Sequence, residues 1–275
     1  MKKQGLLLAA LLSLPLGLLA QDGLDQIIKG SVKDANYLVA GYMSPLLKSM
    51  ATGANQGWYN TAKPHKFPGF DLTGTLSFYR LPSKELLYEV DNTKLTNIQL
   101  SNYNGAAIPA NGKANVPTVF GPDKSPTYTD KLTGTQTFNG PNGLDLKGTV
   151  GLSTLPVPLL NLGIGLPKNT ELKVRYIPTI TFTGLGKMSL IGFGVLHDVK
   201  QYIPGIKNLP FDLSGFVGYT RFMIESQLTF PDQKASLEVT GITVQGLISK
   251  KISVLTVYGG LGYNNGKANV DVKGT

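Results

Sequence analysis

The stretch that decides the fold is Leu172-Lys-Val-Arg-Tyr-Ile-Pro-Thr-Ile-Thr-Phe182. Its side chains alternate with a period of two, which is the period of a β-strand with one apolar and one polar face. The apolar face holds Leu172, Val174, Tyr176, Pro178, Ile180 and Phe182, and the polar face holds Lys173, Arg175, Thr179 and Thr181. Pro178 has no backbone N–H to donate, so the sequence predicts a bulge or a locally unpaired site there.

The same period recurs over most of the chain. It is clear in Phe70–Phe78 and in Leu144–Leu152. Further strand-like runs are Leu159–Leu166, Lys187–His197, Phe211–Phe222, Ala235–Ser249 and Lys251–Tyr263. Residues 82–143 are rich in Asn, Gly, Pro and Thr, which predicts two or three strands joined by long loops. The triplet Asn264-Asn-Gly266 predicts a hairpin turn.

The length of these runs bears on the fold class. A tilted strand needs ~9–11 residues to cross a bilayer, whereas strands of soluble domains average about 5–6. We therefore predict an all-β fold, an antiparallel transmembrane β-barrel built as a meander over residues 67–275. About ten strands fit into this length, and a barrel of about fourteen would need a longer chain. A soluble β-sandwich has the same alternation and is the alternative fold.

Residues 21–66 differ from the rest of the chain. Apolar side chains recur there every three or four residues, at Leu24, Ile28, Val32, Ala35, Leu38, Tyr42, Leu46 and Met50. This spacing predicts an amphipathic helix, and we expect an interruption near Pro45. The helix and the polar segment after it would plug the barrel. The candidate plug residues are Asn55, Trp58, Tyr59 and Asn60.

The first twenty residues have the pattern of a secretory signal peptide. Lys2 and Lys3 precede an apolar run from Leu6 to Leu19, and the small residue Ala20 follows. The run is shorter than the ~20 apolar residues of a spanning helix. We expect cleavage near Ala20, export through the Sec pathway and an outer-membrane location, where lipid and lipopolysaccharide are the partners.

Composition supports an exported membrane protein. Charged residues make up 16% of the chain, against about 25% in ordinary soluble domains. The net charge of +9 is spread along the chain, so we expect no nucleic-acid partner. There are no cysteines, and therefore no thiol chemistry and no Cys-based metal site.

No catalytic constellation is recognisable, so the sequence predicts that the protein is not an enzyme and has no cofactor. The two histidines, His65 and His197, are too few for a usual three-ligand metal site unless several carboxylates join them. The ionic residues on the polar faces of predicted strands are candidates for a lumen lining. They are Asp71, Glu171, Lys173, Arg175 and Lys187.

Several segments together resemble a family of outer-membrane proteins from Gram-negative bacteria that has no assigned activity. They are Asn55–Trp58 with Tyr59–His65, Gly69–Leu72, Val116–Gly121, His197–Lys200 and Leu209–Asp212. A helical segment before a β-meander is also distantly similar to the fatty-acid transporter-like barrels. That similarity implies fourteen strands, an N-terminal plug and admission of hydrophobic compounds.

The end of the chain bears on whether the predicted barrel is complete. The chain stops at Asp271-Val-Lys-Gly-Thr275, without the terminal aromatic residue of a final barrel strand, so we expect a longer parent chain.

The leading functional hypothesis is a channel or transporter for small hydrophobic solutes. The alternatives are a structural or docking barrel and a secreted β-sandwich that binds glycans.

Overall fold

A computed structural model of the chain describes residues 31–146, 148, 154–182, 186–227 and 234–273. These residues form one long helix and thirteen strands. In chain order they are α1 (Val32–Asn55), β1 (Phe70–Arg80), β2 (Leu87–Asp91), β3 (Ile98–Tyr103), β4 (Ala106–Ala107), β5 (Lys113–Pro117), β6 (Thr127–Asp130), β7 (Thr137–Asn139), β8 (Thr154–Leu166), β9 (Thr170–Phe182), β10 (Gly186–Asp198), β11 (Asp212–Gln227), β12 (Lys234–Ile252) and β13 (Leu255–Lys273). The predicted signal peptide lies outside the described residues.

The centre of the fold is a seven-stranded antiparallel sheet in the order β1-β8-β9-β10-β11-β12-β13, curled into a half-barrel. Strands β8 to β13 follow one another as a meander, and the loop between β1 and β8 holds the remaining strands. This sheet confirms the predicted antiparallel β architecture. The sheet is open in the described part of the chain, because β1 and β13 are its two edges. Seven strands belong to it, fewer than the ten predicted for the meander.

Helix α1 lies against the concave face of this sheet. Its N-cap is Ser31, whose Oγ accepts a hydrogen bond of 3.0 Å from the N–H of Asp34. The predicted break near Pro45 was wrong, since the helix continues through it to Asn55. The side chains of Met43 and Leu46 are buried on either side of the proline, and this packing outweighs the lost backbone hydrogen bond. No helix among the described residues is both long enough and apolar enough to span a membrane.

The two faces of the sheet have the opposite character to those of a soluble sheet. Large apolar side chains lie on the convex face and are exposed: Phe70, Leu72, Leu76, Phe78, Leu160, Leu162, Ile164, Leu166, Tyr176, Ile191, Phe193, Val195, Val217, Tyr219, Ile242, Val244, Ile248, Leu261 and Tyr263. Over much of the concave face the buried side chains are polar: Asn161, Glu171, Lys173, Arg175, Ser214, Thr220, Thr243 and Ser249.

The rest of the concave face is apolar and packs against α1. Met188, Leu190, Phe222, Ile224 and Val239 form this cluster together with the buried side of the helix. The helix therefore occupies the interior that a second sheet would fill in a sandwich.

The predicted irregularity at Pro178 is confirmed as a bulge. Leu190 of β10 is paired with Ile177, whereas Met188, two residues earlier, is paired with Ile180. One extra residue in β9 changes which face the following side chains occupy. Thr181 is exposed and lies opposite exposed Lys187, so the prediction that it shares a face with Arg175 was wrong.

The loop between β1 and β8 is more ordered than predicted. Residues 87–139 form six short strands in two small sheets, β2-β5 and β4-β3-β6-β7, instead of two or three strands. These sheets have an apolar cluster of their own, which includes Leu38 of α1. The predicted strand Leu144–Leu152 was wrong where it is described, because Leu144 and Leu146 are not in a strand and pack on the main cluster.

The predicted turn at Asn264–Gly266 was also wrong. β12 and β13 are 19 residues each, and their turn is at Ser253-Val254, inside the run predicted as one strand, Lys251–Tyr263. The triplet lies within β13, paired with residues 241–243 of β12. An Asn/Gly sequence is typical of a turn. In this structure it instead allows α1 to pack closely against β13.

Candidate functional site

The candidate site is the concave face of the sheet together with the segment that follows α1, residues 56–66, here called the plug segment. Trp58 is 2% exposed and packs on Phe216, with ring centroids 5.5 Å apart. The wall opposite the indole is made of glycines. A Cβ on Gly192, Gly194 or Gly218 would lie only 3.0 to 3.2 Å from an atom of the indole ring. The small residues of β10 and β11 thus make room for the tryptophan.

Arg175 holds the junction between helix and plug segment. Its guanidinium donates hydrogen bonds to the carbonyl oxygen of Ala54 at 2.7 Å and to that of Gln56. It also donates to Asn161 Oδ1 at 2.5 Å and lies 3.7 Å from the centre of the Trp58 ring. A cation at the C-terminal end of a helix meets the negative end of the helix dipole. Arg175 is fully buried and has no carboxylate partner among the described residues.

A second charged group joins the end of the plug segment to the wall. Lys173 Nζ lies 2.5 Å from Glu171 Oε1 and 3.9 Å from Asp71 Oδ1. His65 of the plug segment contacts both carboxylates, with Nδ1 3.1 Å from Glu171 Oε2 and 3.4 Å from Asp71 Oδ1. Three elements, β1, β9 and the plug segment, therefore meet in one partly buried network of polar and charged side chains.

Ligand atoms of His65, Asp71 and Glu171 lie within 4.8 Å of one another, which is close enough to hold a divalent cation. The Lys173 ammonium already lies against Glu171 and supplies a positive charge there. The arrangement is chemically that of ion pairs within the sheet to which His65 of the plug segment is joined by polar contacts.

The backbone of the plug segment is hydrogen-bonded to the wall at further points. Ser249 Oγ accepts from the N–H of Ala62 at 2.9 Å, and the Ser214 hydroxyl donates to the Ala62 carbonyl. Asn161 Nδ2 donates to the Gly57 carbonyl at 2.5 Å. These bonds satisfy backbone groups that would otherwise be buried without partners.

The described residues enclose two larger cavities beside the plug segment. The first has a volume of about 560 Å³ and is lined by Asn55, Gln56, Gly57, Tyr59, Asn60, Thr73, Gly74, Thr75, Leu76, Ser77, Gln245 and Tyr258. The second, of about 680 Å³, is lined by Asn60, Thr61, Lys63, Pro64, His65, Lys66, Asp212, Lys251, Val254, Thr256 and Tyr258. Because both contain Asn60 and Tyr258, they are neighbours along one side of the plug segment. We call them the neutral cavity and the ionic cavity.

The structure places four of the five predicted lumen residues, Asp71, Glu171, Lys173 and Arg175, on the concave face. It does not bring Lys187 there. Lys187 is exposed and, as every second residue of β10, has the orientation of Ile191 and Phe193 on the convex face.

Of the predicted plug residues, Asn55 and Trp58 are buried, Tyr59 is half-buried and Asn60 is exposed. Trp58 is buried against the wall, and Asn55, Tyr59 and Asn60 line the neutral cavity. The contacts of His65 and of the wall residues Asn161, Ser214 and Ser249 were not foreseen. In the sequence, the strand residues among them are marked only by being small or polar at every second position of a strand.

The fold and site define a class of protein: an antiparallel half-barrel with an apolar outer face and an internal helix and plug segment. The chain belongs to a family of unknown function (DUF6588), whose model matches residues 1–275. No curated protein and no solved structure matches it. The likeness to the fatty-acid transporter-like barrels therefore rests on architecture alone.

Proposed function

We propose that this protein is an outer-membrane barrel protein whose interior passes small solutes beside the plug segment. The observation that supports this best is the reversal of the two sheet faces. An exposed apolar surface that extends over seven strands is costly in water, whereas it matches the hydrocarbon of a bilayer. A buried polar face lined by a plug is the usual content of such a barrel.

The extent of the apolar face fits a membrane. On β1 it runs from Phe70 to Phe78, about 26 Å along the strand. A tilt of ~40° reduces this to about 20 Å, a little less than the ~25 Å band of outer-membrane barrels. Aromatic residues stand at both ends of this run, and Arg80 follows it.

The interior supports passage of polar solutes better than passage of hydrophobic ones. The two cavities are lined mainly by amides, hydroxyls and ionic side chains. Hydrophobic solutes, which the sequence alone predicted, would meet few apolar groups on this route. Polar solutes would exchange hydrogen bonds with water for hydrogen bonds with the lining.

The experiment is fractionation of cells that express the full chain, followed by gel electrophoresis with and without heating. We expect recovery in the outer-membrane fraction and a mobility that changes on heating. Liposomes that contain the refolded protein should swell in solutions of small solutes. A mature protein that stays soluble in the periplasm without detergent would contradict the proposal.

A docking barrel is the second candidate, and one observation favours it. Residues 87–139 form two small sheets with a separate apolar cluster, which is more structure than a simple loop between β1 and β8 requires. Such a module could bind a partner at one end of the barrel. Liposome swelling distinguishes the two functions, since a docking barrel need not let solutes through.

A further inference from the structure

In the described part of the chain, the lining of the neutral cavity contains no charged residue, although ionic side chains are close by. It combines the amides of Asn55, Gln56, Asn60 and Gln245, the hydroxyls of Thr73, Thr75 and Ser77, and the rings of Tyr59 and Tyr258. We propose that this cavity binds a neutral, polyhydroxylated solute, a small sugar. This deepens the proposed function and rests on it, because the cavity lies on the route beside the plug segment.

Part of the hydrogen-bonding capacity of the lining is unused. Among the described residues, the side chains of Gln56, Asn60, Ser77 and Tyr258 make no hydrogen bond to the protein, and those of Gln56, Asn60 and Tyr258 are exposed. Asn55 is 8% exposed and supports the cavity from the side of the sheet: its Nδ2 donates to the Asn265 carbonyl at 3.1 Å, and its Oδ1 lies against Gly241 of β12. The donors and acceptors that a ligand could reach are therefore the amides of Gln56 and Asn60 and the hydroxyls of Ser77 and Tyr258.

Other groups of the lining are fixed in place. The Tyr59 hydroxyl donates to Gln245 Oε1, while Gln245 Nε2 donates to Asn264 Oδ1 at 3.1 Å. The rings of Tyr59 and Tyr258 meet edge to face, with centroids 6.2 Å apart. Positioned amides beside aromatic rings suit a ligand that has hydroxyl groups and a C–H face.

The size and charge of the cavity narrow the choice of ligand. Its volume of about 560 Å³ lies within the ~300–1,000 Å³ typical of small-molecule sites. A charged solute would find no counter-ion in this lining and would lose hydration. A hydrophobic solute would leave the amides without partners. A neutral sugar avoids both penalties, because it carries no charge and its hydroxyl groups form hydrogen bonds with the amides.

The experiment is isothermal titration of the full mature chain, refolded in lauryldimethylamine oxide, with sucrose, maltose and trehalose. Sugar-based detergents are avoided because they would compete. We expect saturable binding of at least one neutral disaccharide and at least tenfold weaker binding of gluconate. Removal of two amides in Q56A/N60A should weaken binding about tenfold or more.

The matched control is T179A, which removes an exposed hydroxyl of β9 that is not part of the lining. It should leave the dissociation constant unchanged. Absence of saturable binding to all three disaccharides, equal binding of gluconate, or equal affinity of Q56A/N60A and wild type would each overturn the inference. Heat-dependent gel mobility verifies that each variant is folded. Failure of membrane insertion would instead contradict the proposed function, since binding is measured in detergent.

Discussion

At the scale of single residues, Arg175 explains how a full charge is kept on the buried face of a sheet. Two carbonyl oxygens from the end of α1 and the start of the plug segment accept from it, and the Trp58 ring covers it. Hydrogen bonds to charged groups are each worth about 1.5–3 kcal/mol. Through these contacts Arg175 joins the sheet, α1 and the plug segment.

Replacement of Arg175 by Met should therefore loosen the plug segment. The Gln56 carbonyl and Asn161 Oδ1 would lose a donor, while the Ala54 carbonyl would keep the Thr220 hydroxyl at 3.0 Å. We expect the free energy of unfolding to fall by about 2–4 kcal/mol. Urea titration in detergent measures this, and Trp58, the one tryptophan of the chain, should emit at longer wavelength.

The control for this prediction is R221M. Arg221 makes an ion pair with Glu238, and both side chains are partly exposed, so the loss should stay within about 1 kcal/mol. Equal effects of the two substitutions would contradict the role given to Arg175.

Asp91 makes stability depend on pH in the small sheets. Its carboxylate accepts from Lys113 Nζ at 2.8 Å and from the hydroxyl of Thr93 at 2.6 Å, and these bonds hold its pKa well below the ordinary range. A lowered folded pKa means that the contribution is complete above the ordinary Asp pKa and is lost as the pH falls through the folded pKa.

We expect wild type to be more stable than D91N at pH 7, with the difference shrinking as the pH falls from about 4 to 2. Urea unfolding of both proteins at several pH values, followed by near-ultraviolet circular dichroism of the tyrosines, measures this. A difference that stays constant over that range would refute the assignment.

At the scale of elements, α1 and β13 approach each other more closely than side chains usually allow. A Cβ on Gly266 would lie 2.8 Å from the Cβ of Ala51. Asn55 Nδ2 also donates to the Asn265 carbonyl at 3.1 Å. The close packing of α1 therefore requires a glycine in the middle of β13, although an Asn-Gly sequence is by itself typical of a turn.

Substitution of Gly266 by Val should push the helix away from the strand and destabilise the protein by about 1–3 kcal/mol. Gly259, on the same strand, has nothing within 4 Å of an added Cβ, so G259V is the matched control. Urea unfolding in detergent and protease cleavage within residues 56–66 measure the effect. The close approach is refuted if G259V costs as much as G266V.

At the scale of the whole molecule, the direction of the edge strands limits how a barrel can close. The sheet has seven antiparallel strands, so β1 and β13 run in the same direction. A closed, purely antiparallel barrel that contains this sheet needs an odd number of additional strands. The total is then even, as in bacterial outer-membrane barrels.

The reversed faces also give a test that separates membrane from water. Phe193 is 51% exposed in the middle of the convex face. A soluble sheet would tolerate F193R there, whereas a lipid-facing position should lose about 2–4 kcal/mol. The fraction of protein that folds into phosphatidylcholine vesicles measures the loss.

For comparison, E225R places the same charge at the exposed end of β11, beyond the apolar band, and should insert almost as well as wild type. If F193R inserts equally well, the convex face does not meet lipid.

The sequence by itself determined most strands of the half-barrel but not the hairpin of β12 and β13, and it also determined the helix before them and the bulge at Pro178. These features depend on local alternation and on the chemistry of single residues, which a linear reading can detect. It also indicated Asp71, Glu171, Lys173 and Arg175 as polar interior residues, because they alternate with apolar neighbours.

Only the tertiary structure decided what these residues meet. The continuity of α1 through Pro45, the extended course of Asn264–Gly266 and the outward position of Lys187 all depend on contacts between distant segments. The contacts of His65 and the neutral cavity join the plug segment to strands far along the chain. Such contacts form through packing around one interior, and no local period specifies them.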